Sequence, residues 1–276
     1  MGSGQTDGVT GTDVAPPVEV LRAFGLGGGV HRLRGRRGGS FLVDGAVLKQ
    51  ADDVDEAAWV QALAARVEPA ACRLARPLAT DDGSWVHAGW VATEHVPGLV
   101  PLAPDWAAIT AAGRCFADAA AAVPAPSAEA LDRRTHRWAR ADRAAWGEED
   151  VALPGPGGEL LEALEDLTSD GGRDRQVVHA DLAGNVHLDE DGTAVVLDLS
   201  LYVRPVRWGD AVVVADAVTW LDGDPALATA FAGDAEGLDL LARALAFRLV
   251  AEQLGPLAGE SGSLDPYERI LRLLDR

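Results

Sequence analysis

A chain of 276 residues with 48% hydrophobic content holds enough apolar material for one large domain or two lobes of ordinary size, which excludes a disordered protein. Its formal net charge of −19 lacks the basic footprint of a nucleic-acid surface, so no nucleic-acid partner is expected. It has no charge-free apolar run of membrane-spanning length and no basic-then-apolar start, so neither a membrane partner nor a secretory leader is expected; Cys72 and Cys115 read as buried free thiols of a cytoplasmic protein.

In chain order, residues 1–17, rich in Gly, Thr, Asp and Pro, read as a flexible tail. Residues 18–26 form a short helix or strand, broken by Gly27-Gly28-Gly29. Residues 30–33 and 40–43 are the arms of a hairpin with the tip Gly35-Arg36-Arg37-Gly38-Gly39, and Asp44-Gly45 turns the chain into a further strand ending at Lys49. Apolar recurrence near the 3.6 period predicts a helix over 52–67, with Glu56 near its start. Residues 73–77 are extended, and 85–96 read as two strands or one broken strand closed by Pro97-Gly98.

Composition then shifts. A helix is expected over 106–123, flanked by Pro104 and Pro124. A charged, aromatic helix is expected over 129–146, a loop over 154–158 and a helix over 160–167. After the segment considered next, 202–208 read as an irregular linker, followed by helices over 211–220, 225–231, 238–254 and 265–274. The whole divides into a β-rich N-terminal lobe over 18–100 and a mostly helical C-terminal lobe over 101–276, an α+β protein.

The chemistry concentrates in Gln176–Arg204. Val177-Val178 leads into His179, Asp181 and Asn185; an acidic turn over 189–192 follows, and Ala194–Leu197 runs into Asp198. Two short strands thus each deliver a carboxylate beside an amide, the donor set of magnesium-assisted phosphoryl transfer. Asp181 can orient an alcohol and accept its proton. Asn185 offers an amide oxygen to a metal, and its NH₂ can reach Asp181 or a phosphate. Asp198 is the natural main magnesium ligand, and His179 reads as structural, holding the loop through backbone hydrogen bonds. The chain has no HExxH, no CxxC, no GxSxG and no well-placed GxGxxG, which disfavours zinc hydrolysis, serine hydrolysis and dinucleotide binding.

The run VVHADLAGNVHL followed by VVLDLS resembles the catalytic loop and metal-binding strand end of the aminoglycoside phosphotransferase and small-molecule kinase branch of the protein-kinase-like fold. The resemblance spans about residues 30–254. A DxSxYxRP run from Asp198 and the stretch AWGE at 145–148 resemble an actinobacterial group of kinase-like proteins. The resemblance implies ATP and Mg²⁺ as cofactors, Asp181 as the catalytic residue, and Asn185 and Asp198 as the metal ligands. It also implies Lys49 on the α- and β-phosphates with Glu56 as its partner, and Gly35, Arg36, Arg37, Gly38 and Gly39 over the nucleotide. Glu94 to Val96 would lie beside adenine, and Asp216 would be a buried brace for the catalytic loop. One departure stands out: Asp181 and Asn185 are four residues apart, where the family pattern has five. Two readings follow. One is an ATP-dependent phosphotransferase acting on a small-molecule hydroxyl or amine, as a monomer or homodimer, with its acceptor walled by 129–146 and 160–167 together with the acidic run Glu148-Glu149-Asp150. The other is a kinase-shaped binding or scaffold protein.

Overall fold

The computed structural model describes residues 14–33, 39–124, 127–169, 172–255 and 263–274. The chain enters on helix α1 (Val18–Ala23), then strands β1 (His31–Arg32), β2 (Ser40–Val43) and β3 (Ala46–Gln50). Phe41 and Val43 of β2 and Ala46 and Leu48 of β3 are buried, the alternation of a half-buried sheet. Asp44 and Gly45 join them with φ of 48° and 78°, the left-handed pair that suits the twist of a two-residue hairpin. The Asp44 carboxylate also accepts the amides of Gly27 (2.8 Å) and Gly28 (2.7 Å). A Cβ at Gly28 would lie 2.0 Å from Asp44 Oδ1, so this approach requires glycine.

Helix α2 (Val54–Ala64) is capped by Asp53, which accepts the amides of Asp55 and Glu56. The chain then passes through β4 (Arg73–Leu74) and returns for β5 (Pro77–Leu78) and β6 (Trp90–Glu94). Strand β6 is the regular part of the expected 85–96 segment; before it, only His87 bridges to Trp90. These strands form a sheet of order β1-β2-β3-β6-β5, with Phe41 packed on Trp90.

The rest is β7 (Val100–Pro101), α3 (Trp106–Ala121), α4 (Glu129–Asp132), α5 (Arg137–Ala145), α6 (Pro156–Glu165), β8 (Gln176–His179), β9 (Val186–Leu188), β10 (Ala194–Val196), β11 (Leu201–Arg204), α7 (Val206–Trp220), α8 (Ala226–Phe231), α9 (Ala235–Gln253) and α10 (Asp265–Leu274). Described residues up to Arg66 together with Ala75–Pro97 make one compact unit; Val67–Leu74 together with described residues from Gly98 onward make the other. The first is β-rich and the second largely helical, the expected α+β class. In the second unit, β4, β10, β9 and β7 form one small sheet, and β8 and β11 pair separately.

The structure corrects several element expectations. The 129–146 helix is two helices, because the chain breaks after Asp132 and restarts with His136 Nδ1 accepting the Ala139 amide. The expected loop at 154–158 already contains the start of α6, since Gly155 turns at φ 55° and Pro156 suits a first helical turn. The expected linker at 202–208 is β11 running directly into α7: Pro205 ends the strand and leads the helix. Cys72 is a buried free thiol, but Cys115 is only half-buried.

Helices α7 and α9 form the centre of the second unit, buried throughout Trp208–Val218 and Asp239–Ala251. Tyr202, Trp208 and Phe247 meet edge-on or tilted between them, with centroids 5.5–5.7 Å apart. Trp138 and Trp146 pack onto this cluster, against Phe247 and Trp208. Arg204 is buried beside it, donating to both oxygens of Asp142 (3.0 and 2.8 Å) and of Glu148 (2.7 Å each). The Tyr, Arg and AWGE positions of the sequence motifs are therefore architectural. Removing the guanidinium leaves buried Asp142 without its counter-charge. Arg204→Met is expected to destabilise the protein by about 3–5 kcal/mol in urea titration, whereas a loss under about 1 kcal/mol would show that the pair contributes little.

Candidate functional site

The site grows from a set of backbone stitches. Strand β8 ends on His179, whose ring is buried and edge-on to Phe116. His179 Nδ1 accepts the Asp181 amide (3.0 Å), and Nε2 lies 3.2 Å from the Leu197 carbonyl. An acceptor on one nitrogen and a carbonyl at the other define a neutral ring carrying its proton on Nε2. Burial lowers the His179 pKa, against the opposing pull of Asp181 and Asp198. The Leu197 amide in turn donates to the Asn185 carbonyl (2.9 Å). One histidine and one backbone bond thus tie the loop carrying Asp181 and Asn185 to the residue just before Asp198.

The loop itself is a tight turn. The Asn185 amide donates to the Leu182 carbonyl (2.9 Å), and Gly184 supplies φ 89°. With this geometry the four-residue step still joins the two side chains: Asn185 Nδ2 donates to the Asp181 carbonyl (2.6 Å) and to Asp181 Oδ2 (3.2 Å). Asn185 Oδ1 is then the atom suited to a metal ion. Asp198 adopts φ 48°, a left-handed conformation that aspartate tolerates better than most side chains. Leu182 anchors the loop on α3, where a Cβ at Gly113 would come within 2.3 Å of it.

Sequence reasoning missed one residue. Arg248 of α9 is 1% exposed and donates Nε and Nη2 to the two oxygens of Asp216 (2.5 and 2.7 Å). The same Nη2 reaches the Ala180 carbonyl (3.3 Å) and Asp181 Oδ1 (3.2 Å). Asp216 therefore bears on the loop through an arginine. The signal was present in the sequence: Asp216 and Arg248 are opposite charges set in apolar helices, where each needs a partner.

Among the expected positions in the first unit, Lys49 lies on β3 opposite Ser40 and Val91, and Glu56 lies in the first turn of α2. Glu94 ends β6, its amide donating to the Arg76 carbonyl, and Val96 is buried. Gly39 has φ 77°; Gly35, Arg36, Arg37 and Gly38 lie outside the described residues. Of the charges expected to wall an acceptor, Glu148 is engaged within the second unit by Arg204 and Arg175, and Glu149 by Arg140 and Arg143.

No protein-family model matches the chain, and no curated protein matches it by sequence. Solved structures do. The aminoglycoside phosphotransferase APH(4)-Ia aligns over 94% of this chain and 95% of its own, with TM-score 0.56 and 18% identity. A thermostable mutant of that enzyme, in ternary complex with ADP and hygromycin B, aligns over 94% and 96%, with TM-score 0.56 and 16% identity. The AMP-bound spectinomycin phosphotransferase APH(9)-Ia aligns over 94% and 96%, with TM-score 0.52 and 12% identity. The fold is protein-kinase-like. At these identities the likeness is one of fold; within it the loop joins Asp181 to Asn185 and is tied to Leu197, the residue before Asp198.

The donor set fits a magnesium ion delivered with a nucleotide. Mg²⁺ is usually held by one or two protein oxygens plus phosphates and water, and Asn185 and Asp198 offer such oxygens. Among the described residues, no cluster of three His, Cys, Asp or Glu side chains forms an all-protein metal cage.

The buried imidazole sets a pH expectation. Its folded pKa lies below the unfolded value of about 6.5, so the unfolded chain takes up the proton first. The His179 contribution to stability is fully present above about pH 6.5 and is lost as pH falls below it, by at most about 1.4 kcal/mol per pH unit. The His179 ring resonances are expected to titrate with a midpoint below about 6.5; a midpoint at or above that value would contradict the assignment.

Proposed function

We propose that the chain is an ATP-dependent phosphotransferase acting on a small-molecule hydroxyl or amine, with Asp181 as its catalytic residue. The observation that carries this reading is the joining of Asp181 and Asn185 by a direct side-chain contact, on a loop stitched to the residue before Asp198. The kinase-like fold supports it, since phosphoryl transfer is chiefly a matter of positioning and charge stabilisation.

In this reading Asp181 orients the acceptor group and takes its proton as the acceptor oxygen or nitrogen bonds to the γ-phosphorus and the bond to the β–γ bridging oxygen breaks, releasing ADP. Asn185 Oδ1 and the Asp198 carboxylate would hold Mg²⁺, which would supply positive charge to offset that of the phosphates. Lys49, oriented by Glu56, serves the α- and β-phosphates. Gly35 to Gly39 cover them, and Glu94 and Val96 serve the adenine. His179 keeps the loop in register and takes no part in proton transfer.

A second reading, a kinase-shaped scaffold without turnover, draws on the fact that both Asp181 oxygens already have partners within the chain. It predicts nucleotide binding without product.

Calorimetry with MgATP and ³¹P detection of product over a panel of hydroxyl and amine acceptors separate the two. Asp181→Asn is expected to lower turnover by about 10²–10⁴-fold with little change in nucleotide affinity. Asp198→Asn is expected to abolish the magnesium dependence of binding. No response to millimolar MgATP, or full turnover in Asp181→Asn, would overturn the phosphotransferase reading.

A further inference from the structure

The Asp181 side chain is held by a charge from the far end of the chain. Arg248 Nη2 has two hydrogens and three acceptors: Asp216 Oδ2 at 2.7 Å, the Ala180 carbonyl at 3.3 Å and Asp181 Oδ1 at 3.2 Å. One hydrogen belongs to the short Asp216 bond; the other is shared between the backbone and the side chain of the loop. The guanidinium cannot swing away. Its Nε is fixed by Asp216 Oδ1, and it lies over the rings of Trp220 (4.7 Å) and Phe247 (4.9 Å), with Trp138 at 5.5 Å.

From the other side, Asn185 Nδ2 donates to Asp181 Oδ2 at 3.2 Å. The carboxylate is therefore gripped at both oxygens, by an amide from its own loop and a guanidinium from α9. Asp216 has a second effect. It already balances the arginine charge, so Asp181 meets one end of an ion pair and is held without being fully neutralised.

We propose that Arg248 is a positioning residue for Asp181, and that Asp216 both fixes Arg248 and moderates its pull. This rests on the reading of Asp181 as the catalytic residue; the grip itself is independent of it. The arginine touches no substrate and acts only through the angle at which Asp181 is presented.

The test uses the full chain, with magnesium-dependent ATP hydrolysis, water serving as acceptor, as the probe. Arg248→Met alone would leave Asp216 charged and buried, so the informative variant is the double change Asp216→Asn/Arg248→Met, with Arg248→Lys as its conservative counterpart. The double variant is expected to fold, to keep the KM for ATP within about twofold and to lose about 10²-fold in kcat, the scale of an ångström of misplacement. Arg248→Lys is expected to recover at least about a tenth of the wild-type kcat, because a lysine still brings charge to Asp181. A folded double variant with kcat within about twofold of wild type would overturn the proposal. If wild-type protein hydrolyses no ATP, the phosphotransferase reading is decided by the acceptor panel, and the positioning claim by the crystal structure of the double variant. An Asp181 carboxylate displaced from its Asn185 contact then supports the grip; an unmoved one overturns it.

Discussion

Charge buried in an apolar helix must be answered by opposite charge, and the second unit is arranged around that constraint. Helices α7 and α9 are buried on nearly all sides, yet carry Asp210, Asp216, Asp239, Arg243 and Arg248. Each reaches a partner: Asp210 to Arg114 of α3, Asp216 to Arg248, and Asp239 to Arg243 and Arg173. An isolated ion in such surroundings is far costlier than an apolar residue, while a pair of good geometry roughly breaks even. The pairs therefore add little net stability. What they add is register, because the Arg114–Asp210 pair sets α3 against α7 and the Arg248–Asp216 pair sets α9 against α7.

The candidate site uses this register. Loop 180–185 is short and lies against α3 through Leu182 on Gly113, against α7 through the His179 carbonyl beside Gly209, and against α9 through Arg248. Four independent ties hold it: the His179 ring, the Asn185 carbonyl, the turn at Gly184 and the guanidinium. The shortened step from Asp181 to Asn185 is absorbed by that turn, so the two side chains still meet.

Much of this was legible in the sequence, because local patterns carry it. The apolar arms at 40–43 and 46–48 on either side of the Asp44-Gly45 turn, and the predominantly apolar runs of 211–220 and 238–254, indicate their elements by turn chemistry and length. The cluster of His179, Asp181, Asn185 and Asp198 is legible because its members are close in sequence and separated by turn residues. Arg248 was not, since it lies 67 residues beyond Asp181 and nothing local says which acid it meets. The same holds for Arg204, whose acceptors Asp142 and Glu148 lie about sixty residues upstream. The start of α6 at Pro156 and the break before α5 were misread because proline, glycine and charge mark helix ends and loops alike.

The origin of Arg248 has a consequence for the order in which the protein becomes complete. A ribosome delivers the loop of Asp181 and its partner Asn185 together, but α9 emerges well after them. Until it does, Asp216 has no arginine to bury against and the grip on Asp181 Oδ1 does not exist. A nascent chain ending before α9 therefore carries every residue of the loop but lacks one of its four ties. The full set of ties is complete only once α9 has packed on α7 and brought Arg248 to Asp216.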